Sequence, residues 1–436
     1  MDLLVAFGVF FAALAAALRM GVSMIVPLAV GLVCFVVVGL RRGFSLRALT
    51  GMAMSGAKRS LIVLRVFLLI GLITALWRAS GVIAFFVAQG IAVITPTLFV
   101  LIAFLLSALL AYALGTSFGI VGTVGVIMMA LARSGGVSEV VAAGAVLSGA
   151  YFGDRGAPTS SSANLVAAVT GTKLFDNVRL MLRTAALPFA LCTVFYFVLS
   201  RVYPLNAVDP ALVGMLHENF RLSWWLLLPV VLMLALPFFK VEVRHAMLCS
   251  IVCAFALTVF LQRVSIWETL RICLLGYHPE NEALARIFAG GGLISMLSVA
   301  GIVLLSCTYA GIFDGTGMLD GVRARVTALS ERIGLFPAAC VVSTATCAAF
   351  CNQTIGVVLT DALVEPAYTQ RGRSAVERAQ DLESSVILIA GLVPWSIACA
   401  APLGMLGVGY GALPFAAFLY TAPICYGLTK RWFFKP

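Results

Sequence analysis

Long apolar runs recur along the whole chain and are separated by short polar gaps. A helix needs about 20 predominantly apolar residues to cross the roughly 30 Å hydrocarbon core of a bilayer. The pattern therefore predicts an all-α, polytopic membrane protein with about a dozen transmembrane helices. The runs lie at residues 3–18, 22–40, 61–76, 82–114, 119–131, 137–152, 180–199, 224–239, 247–261, 283–309, 335–359, 386–406 and 412–428.

Three stretches of the chain are less apolar than these runs. Residues 44–60 and residues 318–333 mix basic and apolar positions, which is typical of interfacial segments. The most polar gap, residues 203–221, divides the chain nearly in half. We therefore expect a single integral membrane transporter domain over residues 1–436, with one structural repeat in each half. The halves are residues 1–202 and residues 222–436.

Each half carries two polar interruptions inside apolar sequence, in the same order and at similar spacing. Duplicated transporters show this pattern, because their paired broken helices meet near the middle of the bilayer and form the binding site. We therefore expect paired discontinuous helices. The interruptions are residues 115–125 and 153–164 in the first half, and residues 343–354 and 381–396 in the second.

Composition and charge narrow the class of protein. Of 436 residues, 62% are hydrophobic and 11% are charged, whereas a soluble chain is about 25% charged. The net charge of +11 does not indicate nucleic-acid binding, because the basic residues fill short gaps and not one amphipathic face. By the positive-inside rule, two basic gaps predict that both termini lie on the cytoplasmic side of a bacterial inner membrane. These gaps hold Arg41, Arg42, Arg47, Lys58 and Arg59, and, near the C-terminus, Lys430, Arg431 and Lys435.

The strongest chemical signal is the sequence GAYFGDRGAPTSSSANLVAAVTGT at residues 149–172. The apolar run before it has 16 residues, which span about 24 Å at about 1.5 Å per residue. Its polar end is therefore expected inside the membrane, where Gly153, Gly156 and Pro158 favour a break in the helix. Lipid tolerates such a break only where the freed backbone groups are buried or line a cavity.

This segment carries the oxygen ligands of a dehydrated cation. Asp154 supplies the charge, and competition between a proton and a cation for a carboxylate inside the membrane is the simplest antiport mechanism. The alternative is that Asp154 and Arg155 mark a solvated turn between two helices. Sodium is the candidate metal ion at Asp154, as the transported or coupling ion, and we expect no cofactor. The other candidate ligands are Thr159, Ser160, Ser161, Ser162 and Asn164.

An earlier glycine-rich segment has two interpretations. Gly115, Gly119 and Gly122 have the spacing of one helical face, which is typical of close packing between helices. Thr116 and Ser117 add hydroxyl groups that suit either a helix kink or a ligand.

The second half offers its own candidates. Asn352 and Gln353 lie in the middle of a long apolar run, where amide groups need partners. They serve either as contacts between helices or as substrate contacts. Residues 381–396 begin with two acids and continue through a glycine and a proline, which indicates the second broken helix. Glu383 is the acid expected to face inward.

Absent motifs exclude other classes. The chain has no GxxxxGK[ST] phosphate loop, which argues against an ATP-driven pump. It also has no Ser-His-Asp set and no HExxH motif, which argues against an enzyme. We therefore expect a secondary transporter.

Several longer motifs are distributed over most of the chain. They are LIGLITALWRASGV at 69–82, GTSFGIVGTVGV at 115–126, SGAYFGD at 148–154, FDGTGMLDG at 313–321, NQTIGVVL at 352–359, EPAYTQRG at 365–372, and LESS followed by LVPW within 382–395. With these motifs the chain resembles the NhaC-type sodium/proton antiporters of the ion transporter superfamily.

The resemblance implies inverted repeats, crossed discontinuous helices and alternating access. It also implies that Asp154 is the acid of the GD element and that Glu383 is the acid of the second broken helix. The chain departs from the family pattern twice. The family typically reads SPLSDTTN where this chain has APTSSSAN, so Ser161 replaces an aspartate; it reads LEDSGT where this chain has LESSVI, so Ser384 replaces another.

Two hypotheses about function stay open at this point. The first is a sodium/proton antiporter with Asp154 as the shared carboxylate. The second is a sodium- or proton-coupled transporter or exchanger of a small organic solute, either an amino acid or a carboxylate. A third class, a non-transporting membrane sensor, is disfavoured by the two broken helices. The expected partners are sodium, protons or the organic solute, and membrane lipids, but no nucleic acid; a homodimer is common in this architecture.

Overall fold

The computed structural model describes residues 2–20, 22–23, 25–93, 96–158, 160–205, 210–239, 241–317 and 322–434. These residues fold mainly into α-helices and contain no β-strand, which confirms the all-α class. An isolated antiparallel bridge joins Tyr277 and Gly290. The first helices are α1 (Asp2–Met20), α2 (Ile25–Arg41), α3 (Leu46–Ala79), α4 (Val82–Val93), α5 (Phe99–Leu114), α6 (Ser117–Ile120), α7 (Val126–Ser134), α8 (Glu139–Gly156), α9 (Ser161–Thr170), α10 (Leu174–Val202), α11 (Pro210–Asn219) and α12 (Leu228–Ala235). The others are α13 (Val243–Ala256), α14 (Ile266–Leu275), α15 (Glu282–Phe288), α16 (Leu297–Thr316), α17 (Val322–Ile333), α18 (Leu335–Phe350), α19 (Gln353–Gln370), α20 (Ala375–Ser384), α21 (Val386–Ile389), α22 (Ile397–Leu406) and α23 (Ala417–Phe433).

The chain forms two compact units, and both are discontinuous in sequence. Unit 1 holds residues 1–65, 169–171 and 297–400, and unit 2 holds residues 66–168, 172–296 and 401–436.

Aromatic side chains form part of the core of unit 1. Phe10 and Phe35, from the α1–α2 hairpin, lie against Tyr309 and Phe313 of α16, and the ring centroids of Phe35 and Phe313 are 4.7 Å apart. Lipid tails are as apolar as these side chains, so close packing and not burial from water favours the contact between helices. Gly56 of α3 shows such packing, because a Cβ atom there would overlap the backbone of α16.

Helices α5 and α8 pack backbone against backbone in unit 2. A Cβ atom added at Gly149 would overlap the α5 backbone near Ala108, and one added at Gly153 would overlap it at Ala111. Small residues allow this approach between membrane helices. The contact places the C-terminal end of α8, which carries Asp154, beside the C-terminal end of α5.

Apolar helices in the described part of the chain support a multi-pass membrane protein. Four are long and apolar enough to cross a membrane, and the pair Phe67–Ala79 and Val82–Gln89, bent by 61°, is a fifth candidate. Other apolar helices have 10–17 residues. The four longer spans are Ser117–Ser134, Leu174–Val202, Arg244–Leu261 and Ile294–Phe313.

The structure corrects two predicted segments. Residues 44–60 do not form a separate segment, because α3 continues from Leu46 through 34 residues without a proline to interrupt it. The run at 82–114 is divided between α4 and α5 by a 3-10 turn at Pro96–Leu98. Of the other predicted interfacial segment, residues 318–321 lie outside the described residues and the remainder is α17.

Candidate ion-binding site

The polar segment after α8 separates α8 from α9. Helix α8 runs through Asp154 to Gly156 and is followed by Ala157, whose backbone is extended (φ −82°, ψ 140°). Helix α9 begins at Ser161 and has ten residues, which is too short to cross a bilayer. The predicted break therefore exists, but it does not begin at Gly153. This glycine is helical and lies directly against the backbone of α5.

Asp154 is buried at the C-terminal end of α8, with 4% of its surface exposed. The Ser162 hydroxyl group donates to the carboxylate and lies 3.2 and 3.3 Å from its two oxygens. Ser160 Oγ donates to the Asp154 carbonyl oxygen at 2.5 Å and lies 3.5 Å from Oδ1. Carboxylate, hydroxyl and carbonyl oxygens, which are the ligands that hard cations prefer, are thus gathered at one buried position.

Ser160 also determines where α9 begins. Its Oγ accepts hydrogen bonds from the amides of Ser162 at 3.1 Å and Ala163 at 3.2 Å, as the N-cap residue of a helix does. The side-chain amide of Asn164 donates to the Ser160 carbonyl oxygen at 2.7 Å. These hydrogen bonds hold the first turn of α9, and with it the Ser162 hydroxyl group, beside Asp154.

Two further ligands were predicted in this segment, Ser161 and Thr159. Ser161 is exposed, and its hydroxyl group makes no hydrogen bond to another described residue. Thr159 lies outside the described residues. Arg155 is buried and donates to Thr184 Oγ1 of α10 at 2.9 Å. The burial of both Asp154 and Arg155 does not fit the alternative of a solvated turn.

A second break in unit 2 separates α5 from α6. Gly115 ends α5 in the left-handed conformation (φ 68°, ψ 30°), and Thr116 follows as the N-cap, with Oγ1 accepting from the Gly119 amide at 3.1 Å. The predicted helical face of Gly115, Gly119 and Gly122 is therefore wrong, since Gly115 is not helical and Gly119 lies against the Thr116 side chain. Ser117 is buried at the start of α6.

Unit 1 contains a break with the same backbone geometry. Cys351 follows α18 in the left-handed conformation (φ 53°, ψ 17°), and Asn352 caps α19, with Oδ1 accepting from the Ile355 amide at 3.2 Å. Asn352 has φ −137° and ψ 122°, and Thr116 has φ −143° and ψ 118°. The helices before the two breaks, α5 and α18, have 16 residues each.

The other polar interruption of unit 1 separates α20 from α21 at Ser385, which has φ −116° and ψ −83°. Glu383 and Asp381 at the end of α20 are buried, which agrees with the inward position predicted for Glu383. Gln353 Nε2 donates to the Ile387 carbonyl oxygen at 3.0 Å and so connects this interruption with the start of α19.

Sequence reasoning missed several polar partners that come from other helices. The Tyr368 hydroxyl group of α19 donates to the Asp381 carboxylate, and Ser343 Oγ of α18 donates to Ser385 Oγ at 3.1 Å. Tyr368 lies in the EPAYTQRG motif. The motif marked this segment as part of the family pattern but did not predict the contact of Tyr368 with Asp381. The sequence separations of 13 and 42 residues carry no helical periodicity that would join these pairs.

Comparisons with known proteins give matches along nearly the whole chain. The sequence model of the Na+/H+ antiporter family matches residues 2–163 and 149–430. The chain is 28% identical over 407 residues to the Na+/H+ antiporter NhaC of Alkalihalophilus pseudofirmus, covering 91% of this chain and 88% of that protein. It is 26% identical over 420 residues to the Na+/H+ antiporter NhaC of Bacillus subtilis, covering 93% and 92%. It is 24% identical over 453 residues to the malate-2H+/Na+-lactate antiporter of Bacillus subtilis, covering 100% and 96%.

Proposed function

This chain belongs to the Na+/H+ antiporter family, and from that premise we propose that it exchanges sodium ions for protons across a bacterial inner membrane by alternating access. Members of this family are transporters and not enzymes. The observation that carries the proposal is the buried carboxylate of Asp154 at a helix break, with the hydroxyl groups of Ser160 and Ser162 beside it.

The exchange follows from the charge of one buried carboxylate. A protonated Asp154 is neutral and needs no counter-ion, whereas the ionised form in a medium of low dielectric constant attracts a cation. Sodium loses hydration water on entering, and the oxygens of Asp154, Ser160 and Ser162 replace part of it. Because the carboxylate is compensated by either a proton or sodium, binding of one releases the other.

The second half of the chain supplies further candidate ligands. Glu383, buried at the end of α20, is the second acid of the proposed pathway. Thr116 and Ser117 at one break, and Asn352 and Gln353 at the other, are the candidate polar contacts of the ion or solute.

The matching breaks support an internally duplicated transporter. The left-handed residue followed by an N-cap occurs at Gly115 and Cys351 in the same order. We therefore retain inverted repeats in residues 1–202 and 222–436, paired discontinuous helices, about a dozen crossings and cytoplasmic termini as parts of the proposal.

Sodium-driven proton flux in proteoliposomes tests the proposal. An internal pH dye should report proton movement when sodium is added to wild-type vesicles, and Asp154→Asn should abolish it. Asp176→Asn is the matched control, because Asp176 is an exposed acid at the start of α10. Equal flux in wild type and Asp154→Asn overturns the assignment of Asp154, and no flux in wild type overturns sodium/proton exchange.

Exchange of a small organic solute is the second candidate function. The replacement of two acids by Ser161 and Ser384, together with the full-length similarity to a malate/lactate antiporter, favours it. Thermal stabilisation separates the two functions. Sodium-dependent stabilisation without an organic ligand supports the first, and sodium-dependent stabilisation that requires an amino or carboxylic acid supports the second.

A further inference from the structure

Unit 2 contains a cavity of about 420 Å³, which is within the usual size range of small-ligand sites. Its walls come from α3, α7 and α8, from the turn that precedes α16, and from the end of α22. Asp154 is not part of its lining. Its lining includes Arg78, Arg133, Glu139, Gly291, Met296 and Met405.

A turn of three glycines forms one wall of this cavity. Gly290, Gly291 and Gly292 have φ values of 123°, 77° and 85°, a region that glycine adopts readily. The Gly292 amide donates to the Gly71 carbonyl oxygen of α3 at 2.9 Å. A Cβ atom at Gly291 would overlap the α3 backbone. The turn is therefore fixed against the same helix that carries Arg78.

Arg78 places a buried positive charge on the cavity. Arg78 is 6% exposed, and its Nη1 donates to the Thr74 carbonyl oxygen at 2.6 Å. No carboxylate of the described residues forms an ion pair with it, and the charged group that acts on it is Arg133, which has the same sign. A buried charge without a counter-ion is strongly unfavourable.

Arg133, which also lines the cavity, already forms an ion pair with a carboxylate. Its Nε lies 2.8 Å from Glu139 Oε2, and Nη2 donates to the Leu406 carbonyl oxygen at 2.8 Å. The described lining residues thus include two guanidinium groups and one carboxylate, which leaves them with an excess of one positive charge.

We propose that this cavity binds the carboxylate group of a small organic anion, with Arg78 as its counter-ion. A guanidinium group and a carboxylate can form two parallel hydrogen bonds. A monocarboxylate cancels the single excess charge, whereas a phosphate dianion leaves a net negative charge. Met296 and Met405 provide apolar surface for the organic part of the ligand. This binding site goes beyond sodium/proton exchange and does not depend on it.

Thermal unfolding of the purified protein in sodium-free choline salts tests the proposal. Choline acetate and choline lactate should raise the unfolding temperature in a saturable manner relative to choline chloride. Inorganic phosphate, added as its choline salt, and phosphatidylglycerol are the comparison ligands. A free phosphate or a lipid headgroup would present a different oxyanion. Neither should reproduce the effect of the monocarboxylates.

Substitutions on α3 assign the binding to Arg78. Arg78→Gln should weaken carboxylate binding at least about tenfold, since it removes hydrogen bonds to a charged group, and Arg78→Lys should retain part of the binding. Arg65→Gln is the matched control, because it removes one positive charge from an exposed position on the same helix. Its carboxylate affinity should equal that of the wild type.

A variant with the opposite effect keeps the test decisive if Arg78→Gln does not fold. Glu139→Gln removes the carboxylate that occupies Arg133 and should raise the affinity for acetate about two- to fivefold. A wild type that does not respond to carboxylates, an Arg78→Gln variant that responds equally, or a response to phosphate or lipid alone overturns the proposal. Carboxylate binding without sodium-driven proton flux contradicts only the proposed exchange.

Discussion

Ser161 and Ser162 are adjacent in sequence but differ in their relation to the buried acid. The Ser162 hydroxyl group donates to the Asp154 carboxylate, whereas the Ser161 side chain is exposed. Successive residues of a helix point about 100° apart. The position at which α9 begins therefore decides which hydroxyl group faces Asp154.

Ser162→Ala should raise the sodium concentration that gives half-maximal exchange. Loss of a hydrogen bond to a charged group costs about 1.5 kcal/mol, which corresponds to about a tenfold change in affinity. Ser161→Ala is the control and should behave as the wild type. Proton flux measured across a series of sodium concentrations gives both values. Equal changes in the two variants would contradict the role of Ser162.

The sequence predicted the burial of Asp154 and Glu383, because acids inside apolar runs are rare and face the protein interior. It did not distinguish Ser162 from Ser161, since four consecutive hydroxyl residues give no signal for the start of a helix. The hydrogen bond from Tyr368 to Asp381 was not predicted either, because Tyr368 comes from another helix.

At the scale of elements, the crossing of α5 and α8 fixes the position of the candidate ion site. Gly153→Ala should destabilise the protein by about 1–3 kcal/mol or prevent folding, because the added methyl group would overlap α5. Gly156→Ala, three residues later on α8, should be tolerated, since nothing lies within 4 Å of a Cβ atom there. Thermal unfolding in detergent measures both. A tolerated Gly153→Ala would contradict the close crossing.

The N-cap at the first break provides a separate test. Thr116→Ala removes the acceptor of the Gly119 amide and should reduce stability by about 1 kcal/mol. Thr116→Ser keeps a hydroxyl group and should retain most of the stability. The difference between the two unfolding temperatures isolates the cap from the lost methyl group. No difference between them would show that the hydroxyl group does not hold this break.

The sequence located the breaks better than it described them. Paired amides in an apolar run marked the break at Asn352, but nothing predicted the left-handed conformation of Cys351, because residues other than glycine seldom adopt it. Gly115 adopts the same conformation and was assigned instead to a helix face. Its spacing from Gly119 and Gly122 imitated a helical pattern across a point where the helix ends.

At the scale of the whole molecule, the basic gaps make a prediction about orientation. Green fluorescent protein fused after the C-terminal residue should fluoresce, and alkaline phosphatase at the same point should be inactive, because cytoplasmic segments are enriched in Lys and Arg. The same pair of reporters fused after Gly43 should give the same result. Active phosphatase at either position would contradict the predicted orientation.

The sequence predicted the helical class and the membrane setting, since length and apolarity of the runs determine both. It also predicted two consecutive halves, which stays a prediction. The two compact units are a different division, because each gathers segments from both halves of the chain. Packing between segments as distant as α2 and α16 is not encoded in local periodicity.

The discontinuity of unit 1 has a consequence for synthesis on the ribosome. Its first segment ends at residue 65, and its main later segment begins at residue 297. At about 5–20 residues per second, the roughly 230 residues between them take about 10–50 s to translate. During that interval the α1–α2 hairpin has no α16 to receive Phe10 and Phe35. The nascent hairpin must therefore persist in the bilayer or beside the insertion machinery until its partner helix emerges.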